Sequence, residues 1–449
     1  MAEPAARPAA PAPVALSHRR VLHIAVPVVL SNVTVPVLGA VDTGVIGQLG
    51  AAAPIGAVGI GAIILTAIYW VFGFLRMGTA GLAAQAHGAG ERGEVAALLT
   101  RVLVVGFGAG LGLIVLQGPV FRAAFLVSPA SPEVEALARQ YLGIRVWSAP
   151  AMIATYGVLG WLVAQERTRA LFAVQFTMNM VNIVLDLVFV LGLGFGVGGV
   201  ASATVIAEWS GLGLGLWFCR AAFSTPAWRD AARVFDRARL ARMARVNGDI
   251  LLRSLLLQAI FVSFMFLGAG FGDVTLAANQ ILLQFLYITA YGMDGFAFGA
   301  ESLVGQALGA RDRPGLRRAA ILTSLWGLYT VIAFALAFWL FGGRIVEIMA
   351  KAPEVQEEAR RYLPWMIAAP ICGWASWMLD GIFIGATASR DMRNMMLVSA
   401  LVYAVAALAL VPAFGNHGLW AALLISFLAR GVSLGLRYPA LEAAAGRAG

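Results

Sequence analysis

Long hydrophobic runs recur about every 30 to 40 residues along the chain and are separated by short polar stretches. A helix needs about 20 apolar residues to cross a bilayer, and the runs have about that length. The pattern therefore predicts twelve transmembrane helices, over residues 21–46, 57–84, 96–121, 136–163, 170–192, 199–219, 249–271, 275–305, 319–341, 360–388, 395–413 and 416–436.

The second half of the chain repeats the first. Residues 85–89 read QAHGA and 306–310 read QALGA, and 138–142 read ARQYL where 359–363 read ARRYL. Both pairs are separated by the same offset, which indicates duplication. We therefore predict an all-α integral membrane protein with twelve transmembrane helices in two six-helix lobes. A chain built from two similar membrane halves usually moves a substrate through the space between them.

The longest polar stretch, 220–248, separates the sixth and seventh predicted spans and places the boundary between the lobes. The Ala/Pro-rich start lacks the apolar core of a signal peptide, so we interpret it as a disordered tail. The predicted organisation is a tail at 1–19, an N-lobe at 20–222, a basic cytoplasmic linker at 223–246, a C-lobe at 247–438 and a C-terminal tail at 439–449.

The composition agrees with a membrane protein. Hydrophobic residues make up 60% of the chain and charged residues 12%, with a mean hydropathy of +0.83, whereas soluble domains carry about 25% charged residues. The two cysteines, Cys219 and Cys372, lie in or beside apolar spans and suggest no disulfide framework. The four histidines are scattered without ligand spacing. We expect no metal site and no cofactor.

The net charge of +9 is unevenly distributed. With the N-terminus in the cytoplasm, most arginines fall in the tails and even-numbered loops, and the loop 220–248 alone carries seven. This is the positive-inside bias, which predicts that both termini are cytoplasmic. Topology accounts for the basic residues, so we expect no nucleic-acid partner.

Charged residues inside the spans indicate function, because each costs about 2.5–3.5 kcal/mol to insert at the centre of a bilayer. We expect Arg76 to neutralise a buried carboxylate or to reach the cytoplasmic face, and Asp249 and Arg253 to pair at i, i+4 on one helix. The acidic residues in or at the ends of the other spans are Asp42, Asp186, Glu208, Asp294, Glu301 and Asp380.

Two spans carry polar stripes at helical spacing. One comprises Gln175, Asn179, Asn182 and Asp186, and the other comprises Gln280, Gln284, Tyr287, Tyr291, Asp294, Phe298 and Glu301. Such faces either fasten helices together or line a wet cavity, and the carboxylates and tyrosines favour the cavity. The predicted substrate cavity is lined by Gln175, Asn179, Gln284, Tyr287, Tyr291, Asp294, Glu301 and Asp380.

Asp42 and Asp186 fall at similar depth in the outer half of the bilayer, at about 1.5 Å per helical residue. Two carboxylates close together in low dielectric do not both ionise readily, so such a pair can hold and exchange a proton. Alternatively, Asp42 simply ends its helix at the water interface. Pro27 and Pro36 in the same span form either static kinks or a hinge.

The run LSNVTVPVLGAVDTGVIGQLG (30–50) resembles the first helix of multidrug and toxic compound extrusion (MATE) transporters. Further stretches resemble the DinF-like branch of that family, over about 20–436. They are FLRMGTAGLAAQAHGA (74–89), NIVLDLVFVLG (182–192), GVGGVASATVIAE (196–208), DILLRSLLLQ (249–258), YGMDGFAFGAESLVGQALGARD (291–312) and LDGIFIGATASRDMRN (379–394).

The resemblance implies a V-shaped fold of two six-helix lobes and an antiporter that exports organic, often cationic, compounds from a bacterial cytoplasm across the inner membrane. It implies a cation or proton site at Asp42, Asn182 and Asp186, with Thr204 nearby and Pro27 as the bending proline. The acidic residues of the C-lobe do not match the sodium-coupled NorM branch closely, so we favour H⁺ over Na⁺ as the coupling ion. We expect a monomer.

Other transporters and an enzyme are the alternatives. Major facilitators usually carry a G-x-x-x-D-R/K-x-G-R/K loop after helix two, whereas this loop reads HGAGERGEVAA. A lipid-linked oligosaccharide flippase would need several basic residues in its cavity. The G-x-S-x-G match at 431–435 and the G-x-G-x-x-G match near 194–199 both lack the strand–helix context of their motifs, so we predict no enzyme.

Overall fold

The computed structural model describes residues 16–48, 52–127 and 131–446, and within these ranges the chain forms helices and no β-strand. The helices of the first half are α1 (His18–Gly47), α2 (Ala52–Val71), α3 (Phe74–Gly88), α4 (Arg92–Val115), α5 (Gln117–Val127), α6 (Pro132–Arg145), α7 (Ala149–Ala164), α8 (Thr168–Asp186) and α9 (Gly196–Phe218). Two short helices follow, α10 (Arg220–Phe223) and α11 (Ala231–Val234). Those of the second half are α12 (Arg237–Ala269), α13 (Asp273–Gly309), α14 (Arg313–Met349), α15 (Pro353–Gly385), α16 (Ser389–Phe414) and α17 (Asn416–Ala444).

These helices agree with the predicted spans. Eleven helical stretches of the described residues are long and apolar enough to cross a membrane, and α1, with 30 residues, coincides with the remaining predicted span. Four of the stretches are composite. The helices α2 and α3 meet at a turn, and α6 continues into α7 through a 3₁₀ turn, Val146–Ser148. The helix α8 continues as a π-helix, and α11 is followed directly by α12. The all-α prediction is confirmed.

The ends of the first helix and the last differ from the prediction. The Ser17 hydroxyl accepts a hydrogen bond from the backbone N–H of Arg20 at 3.3 Å, and such a cap starts a helix. As a result α1 begins within the predicted tail, and residues 1–15 lie outside the described structure. At the other end α17 continues to Ala444, so the predicted C-terminal tail begins as helix.

The predicted linker 223–246 is also partly helical. The Asp236 carboxylate accepts a hydrogen bond from the backbone N–H of Arg239 at 2.8 Å and caps α12. The last basic residues of the linker therefore form the first turns of α12, and only the stretch before Asp236 connects the lobes through α10, a 3₁₀ turn and α11.

Each half of the chain has its own apolar core. Leu99 and Val158 lie in a core between α3, α4 and α7, and Phe285 and Trp420 lie in a core of the second half. Since lipid is as apolar as these side chains, close packing holds such helices together rather than exclusion from water. The first helix joins the two cores, because its residue Ile24 packs among C-lobe residues while Ile46 packs in the N-lobe.

Buried charges in the N-lobe are neutralised across helices. Arg145 at the end of α6 donates to Glu208 of α9 through both terminal nitrogens, at 2.8 and 3.1 Å. Both side chains are buried. The pair satisfies two charges that would otherwise be very costly at membrane depth.

The predicted pair of Asp249 and Arg253 does not form. Asp249 accepts hydrogen bonds from Arg393 at 2.6 Å and from Ser389 at 2.9 Å, both on α16. Arg253 instead contacts Asp380 on α15. The prediction was wrong because buried neighbours on other helices compete with an i, i+4 partner, whose contribution is only about 0.2–0.5 kcal/mol.

We expect Glu208→Gln to destabilise the protein by about 3–5 kcal/mol, because it leaves the Arg145 guanidinium buried without its countercharge. The double variant Arg145→Met/Glu208→Leu should lose much less, since both charges are removed. Thermal unfolding in detergent measures the effect, with Glu357→Gln, an exposed glutamate, as the control. Equal melting temperatures for Glu208→Gln and that control would refute the stabilising role of the pair.

Candidate functional site

The polar stripe of α8 is buried against its neighbours. Asn179, Asn182 and Asp186 are 3%, 1% and 0% exposed, and α8 packs against α1 and α9. The amide of Asn182 donates to the Thr204 hydroxyl of α9 at 3.1 Å. Thr204 in turn donates to the Val200 carbonyl at 2.9 Å. The structure thus brings three of the predicted site residues, Asn182, Asp186 and Thr204, onto facing helices.

Asp186 lies where the helix changes its pitch. The α-helical part of α8 ends at Asp186, and the chain continues as a π-helix, Leu187–Gly192. Such π-helical turns are rare and frequently occur at functional sites. The sequence showed no sign of this change, because the apolar run continues through it without a proline.

The side chain of Asp42 lies outside the part of the chain that the structure describes. Its backbone belongs to α1, which packs along α8. The proximity of the Asp42 and Asp186 carboxylates therefore stays a prediction. Pro27 and Pro36 both lie inside the continuous helix α1, and their role as a hinge also stays a prediction.

Between these two prolines, α1 is attached to both lobes. The Asn179 amide of α8 donates to the Thr34 hydroxyl at 2.7 Å. On the other side, the Asn32 amide donates to the Asp294 carboxylate and to the Tyr291 carbonyl of α13, both at 3.1 Å. Asn32 and Thr34 were not among the predicted site residues, although the polar run SNVT between two prolines of an apolar helix could have indicated them.

The polar stripe of α13 changes its environment along the helix. Gln284, Tyr287 and Tyr291 are exposed, and their place in a substrate cavity stays a prediction. Asp294 accepts the Asn32 amide, and Glu301 is 1% exposed. The stripe thus begins at an accessible surface and ends inside the protein. Gln175 of α8, assigned to the same cavity, is partly exposed.

Glu301 is held in an ion pair between the lobes. Arg76 of α3 donates to its two carboxylate oxygens at 2.9 and 3.2 Å. The same guanidinium lies 4.0 Å from the ring centroid of Phe298, in cation–π geometry. Arg76 therefore neutralises a buried carboxylate, which was the first of its two predicted roles. The predicted cavity acid Glu301 is accordingly an ion-pair partner rather than an exposed charge.

Asp380 of α15 has a similar environment inside the C-lobe. It contacts Arg253 of α12, and Arg430 of α17 lies 3.7 Å from it. Arg430 also donates to the Ser376 hydroxyl at 2.9 Å. One buried carboxylate thus lies between two guanidiniums, so Asp380 is an ion-pair partner rather than an unpaired charge in the cavity. Arg430 was not predicted to take part, although it interrupts the last apolar span.

Similarity to known proteins identifies the family of the chain. The MatE family model matches the chain twice, over residues 27–188 and 250–409. The chain belongs to the MatE family. Each match covers most of one lobe, which confirms the internal duplication. The resemblance seen in the sequence is confirmed as well.

Relatives of this MatE-family protein extend over nearly its whole length. It is 39% identical to DNA damage-inducible protein F of Escherichia coli over 93% of this chain and 91% of that one. It is 23% identical to multidrug resistance protein MdtK of Yersinia enterocolitica, over 93% of this chain and 94% of that one.

Solved structures show the same fold. A MATE transporter of the MOP superfamily in an outward-facing conformation superposes with a TM-score of 0.86 at 18% identity, covering 96% of this chain and 97% of that one. The Vibrio cholerae MATE transporter VcmN in its bent form superposes with a TM-score of 0.82 at 20% identity, covering 95% of this chain and 97% of that one. The predicted V-shaped architecture of two lobes is confirmed.

The two possible roles of Glu301 predict different results. If it only neutralises Arg76, Glu301→Gln should impair transport and lower the melting temperature, because Arg76 keeps a partly buried, uncompensated charge. The double variant Arg76→Gln/Glu301→Gln should then regain much of the transport activity and of the melting temperature. If Glu301 carries the coupled proton, the double variant should stay inactive while regaining stability. Transport assays and thermal unfolding of the same preparations distinguish the two.

Proposed function

We propose that this MatE-family protein is a secondary active transporter that exchanges protons for organic cations and exports them across a bacterial inner membrane. Both termini lie in the cytoplasm in this proposal, as the positive-inside bias predicts. The main support is the buried carboxylate of Asp186, beside Asn182 and Thr204, on a helix packed along the one that carries Asp42. The resistance function named for the Yersinia relative is consistent with it.

A proton is suited to this site for a physical reason. Asp186 is fully buried, and a buried carboxylate has to be neutralised, either by a proton or by another cation. Occupancy by a cationic substrate and occupancy by a proton are then mutually exclusive, which is the requirement for antiport. In this proposal Asp42 belongs to the same site, as the sequence resemblance implies.

The exposed face of α13 suits lipophilic cations. Tyr287 and Tyr291 are 42% and 37% exposed and lie one helical turn apart, with Gln284 on the same face. Aromatic rings attract organic cations by about 0.5–2 kcal/mol each, depending on desolvation. The guanidinium of Arg76, which lies beside this stripe, is neutralised by Glu301. A flippase for pyrophosphate-linked substrates is therefore less well supported.

One observation favours a sodium-coupled antiporter as the second candidate. The side-chain oxygen of Asn182 is buried and accepts no hydrogen bond within the described part of the chain. An uncommitted carbonyl oxygen next to a carboxylate is a suitable ligand for a hard cation. Sodium and protons would then compete for one site.

Proteoliposomes with an imposed pH gradient and no Na⁺ test the coupling. We expect the wild type to accumulate a fluorescent cation such as ethidium and Asp42→Asn to lose this activity while remaining folded. Asp186→Asn should also lose the dependence on the pH gradient, because an amide cannot exchange the proton. Asp273→Asn, at an exposed helix start, serves as the matched control. Normal pH-driven transport by Asp42→Asn or Asp186→Asn would contradict the proposal, and transport driven only by a Na⁺ gradient would favour the second candidate.

Tyr291→Ala should raise the KM for an aromatic cation about 2- to 30-fold, because the loss of one cation–π contact costs about 0.5–2 kcal/mol. The dependence on the pH gradient should not change, since coupling is assigned to α1 and α8. Tyr329→Ala on α14, which removes another exposed tyrosine, is the control. An unchanged KM in Tyr291→Ala would argue that this face does not contact the substrate.

A further inference from the structure

The duplicated QAHGA and QALGA segments meet each other where the two lobes cross. A Cβ atom on Gly88 of α3 would overlap the carbonyl oxygen of Gln306, and one on Gly309 of α13 would overlap the carbonyl oxygen of Gln85. Both overlaps are with backbone atoms, which cannot move aside, so only glycine permits this approach of the two helices. The contacts are reciprocal, as expected at a pseudo-two-fold axis.

The two glutamines reach across the same crossing. The Gln85 amide donates to the carbonyl of Gly385, the last residue of α15 in the opposite lobe, at 3.0 Å. The Gln306 amide donates to the carbonyl of Ala164, the last residue of α7, at 2.9 Å. Carbonyls in the last turn of a helix have no partner within that helix. Each lobe therefore caps a helix of the other.

An arginine completes each half of this arrangement. Arg242 of α12 donates to the side-chain oxygen of Gln85 at 2.7 Å, and Arg20 of α1 donates to that of Gln306 at 3.3 Å. Arg20 also forms an ion pair with Glu166, with its Nε at 2.8 Å, whereas the position 221 residues later is the neutral Thr387. Glu166 and Thr387 share a positive φ, at 59° and 51°. The geometry is duplicated, but only one half contains an ion pair.

We propose that Gln85, Gln306, Gly88 and Gly309, here called the glutamine latch, hold the lobes together at the arginine-rich end of the molecule and must separate for the transporter to open there. This rests on the proposed function, because antiport requires the substrate site to open to each side in turn. All four residues lie at the ends of α3 and α13, next to the loops predicted to be cytoplasmic. Separation would remove both reciprocal caps at once, so the latch favours fully closed and fully open states over intermediates.

The distance between the lobes tests the latch directly. Spin labels at Arg92→Cys and Arg318→Cys, exposed positions on opposite lobes at this end, report separation in a background with Cys219→Ala and Cys372→Ala. Gly88→Ala/Gly309→Ala should lower the population of the short distance about tenfold, because the added methyl groups cannot fit the closed crossing. Gly248→Ala is the matched control, since a Cβ there has no neighbour within 4 Å.

A second variant covers the case in which the alanine pair does not fold. Gln85→Ala/Gln306→Ala removes the reciprocal caps without adding volume and should shift the same distance in the same direction. A distribution unchanged from the wild type in either folded variant would overturn the proposal. The measurement needs neither substrate nor ion gradient, so it succeeds or fails independently of the assigned coupling ion.

Discussion

The fold depends on one constraint, which is that charges and polar groups at membrane depth need partners within the protein. The hydrocarbon offers no hydrogen bonds, so each guanidinium or carboxylate must find its complement on another helix. Arg145 with Glu208 fastens α6 to α9, and Arg76 with Glu301 fastens α3 to α13 across the lobes. These pairs fix which helices meet. Close packing of the apolar side chains then holds the paired helices together.

The duplication is preserved where the lobes meet and lost at the proposed coupling site. The latch residues and the helix ends that they cap correspond at an offset of 221. At the same offset, Asn182 corresponds to Tyr403 and Asp186 to Ala407, both buried on the equivalent face of α16. The C-lobe therefore keeps the helix contact without the carboxylate. A symmetric latch and an asymmetric coupling site, both as proposed, are compatible, because the latch depends on backbone approach and the coupling site depends on side chains.

Much of the fold could be predicted from the sequence, since runs of about 20 apolar residues rarely occur outside membrane helices. The polar stripes on α8 and α13 were also visible, because helical spacing alone defines a face. Their partners were not visible. It depends on how separate helices cross whether Glu301 faces a cavity or Arg76. The same holds for Asp249 and its choice between Arg253 and Arg393. The periodicity of a single sequence carries no information on such crossings. The π-helix after Asp186 escaped prediction for a related reason, because it changes the pitch without changing the composition.

The position of α1 suggests how the two lobes could act together. Its first half packs in the C-lobe core around Ile24, and its far end packs in the N-lobe around Ile46. Two hydrogen bonds attach the stretch of α1 between its two prolines. Asn32 donates to Asp294 of α13, and Thr34 accepts from Asn179 of α8. A proline removes one backbone hydrogen bond, so the helix bends at lower cost there than elsewhere. If a change of charge on α8 displaced α1, the hydrogen bond from Asn32 of α1 to Asp294 of α13 would therefore be strained. The helix α13 also carries the exposed tyrosines. Ion and substrate need not touch to influence each other, provided that one helix is attached to both sites.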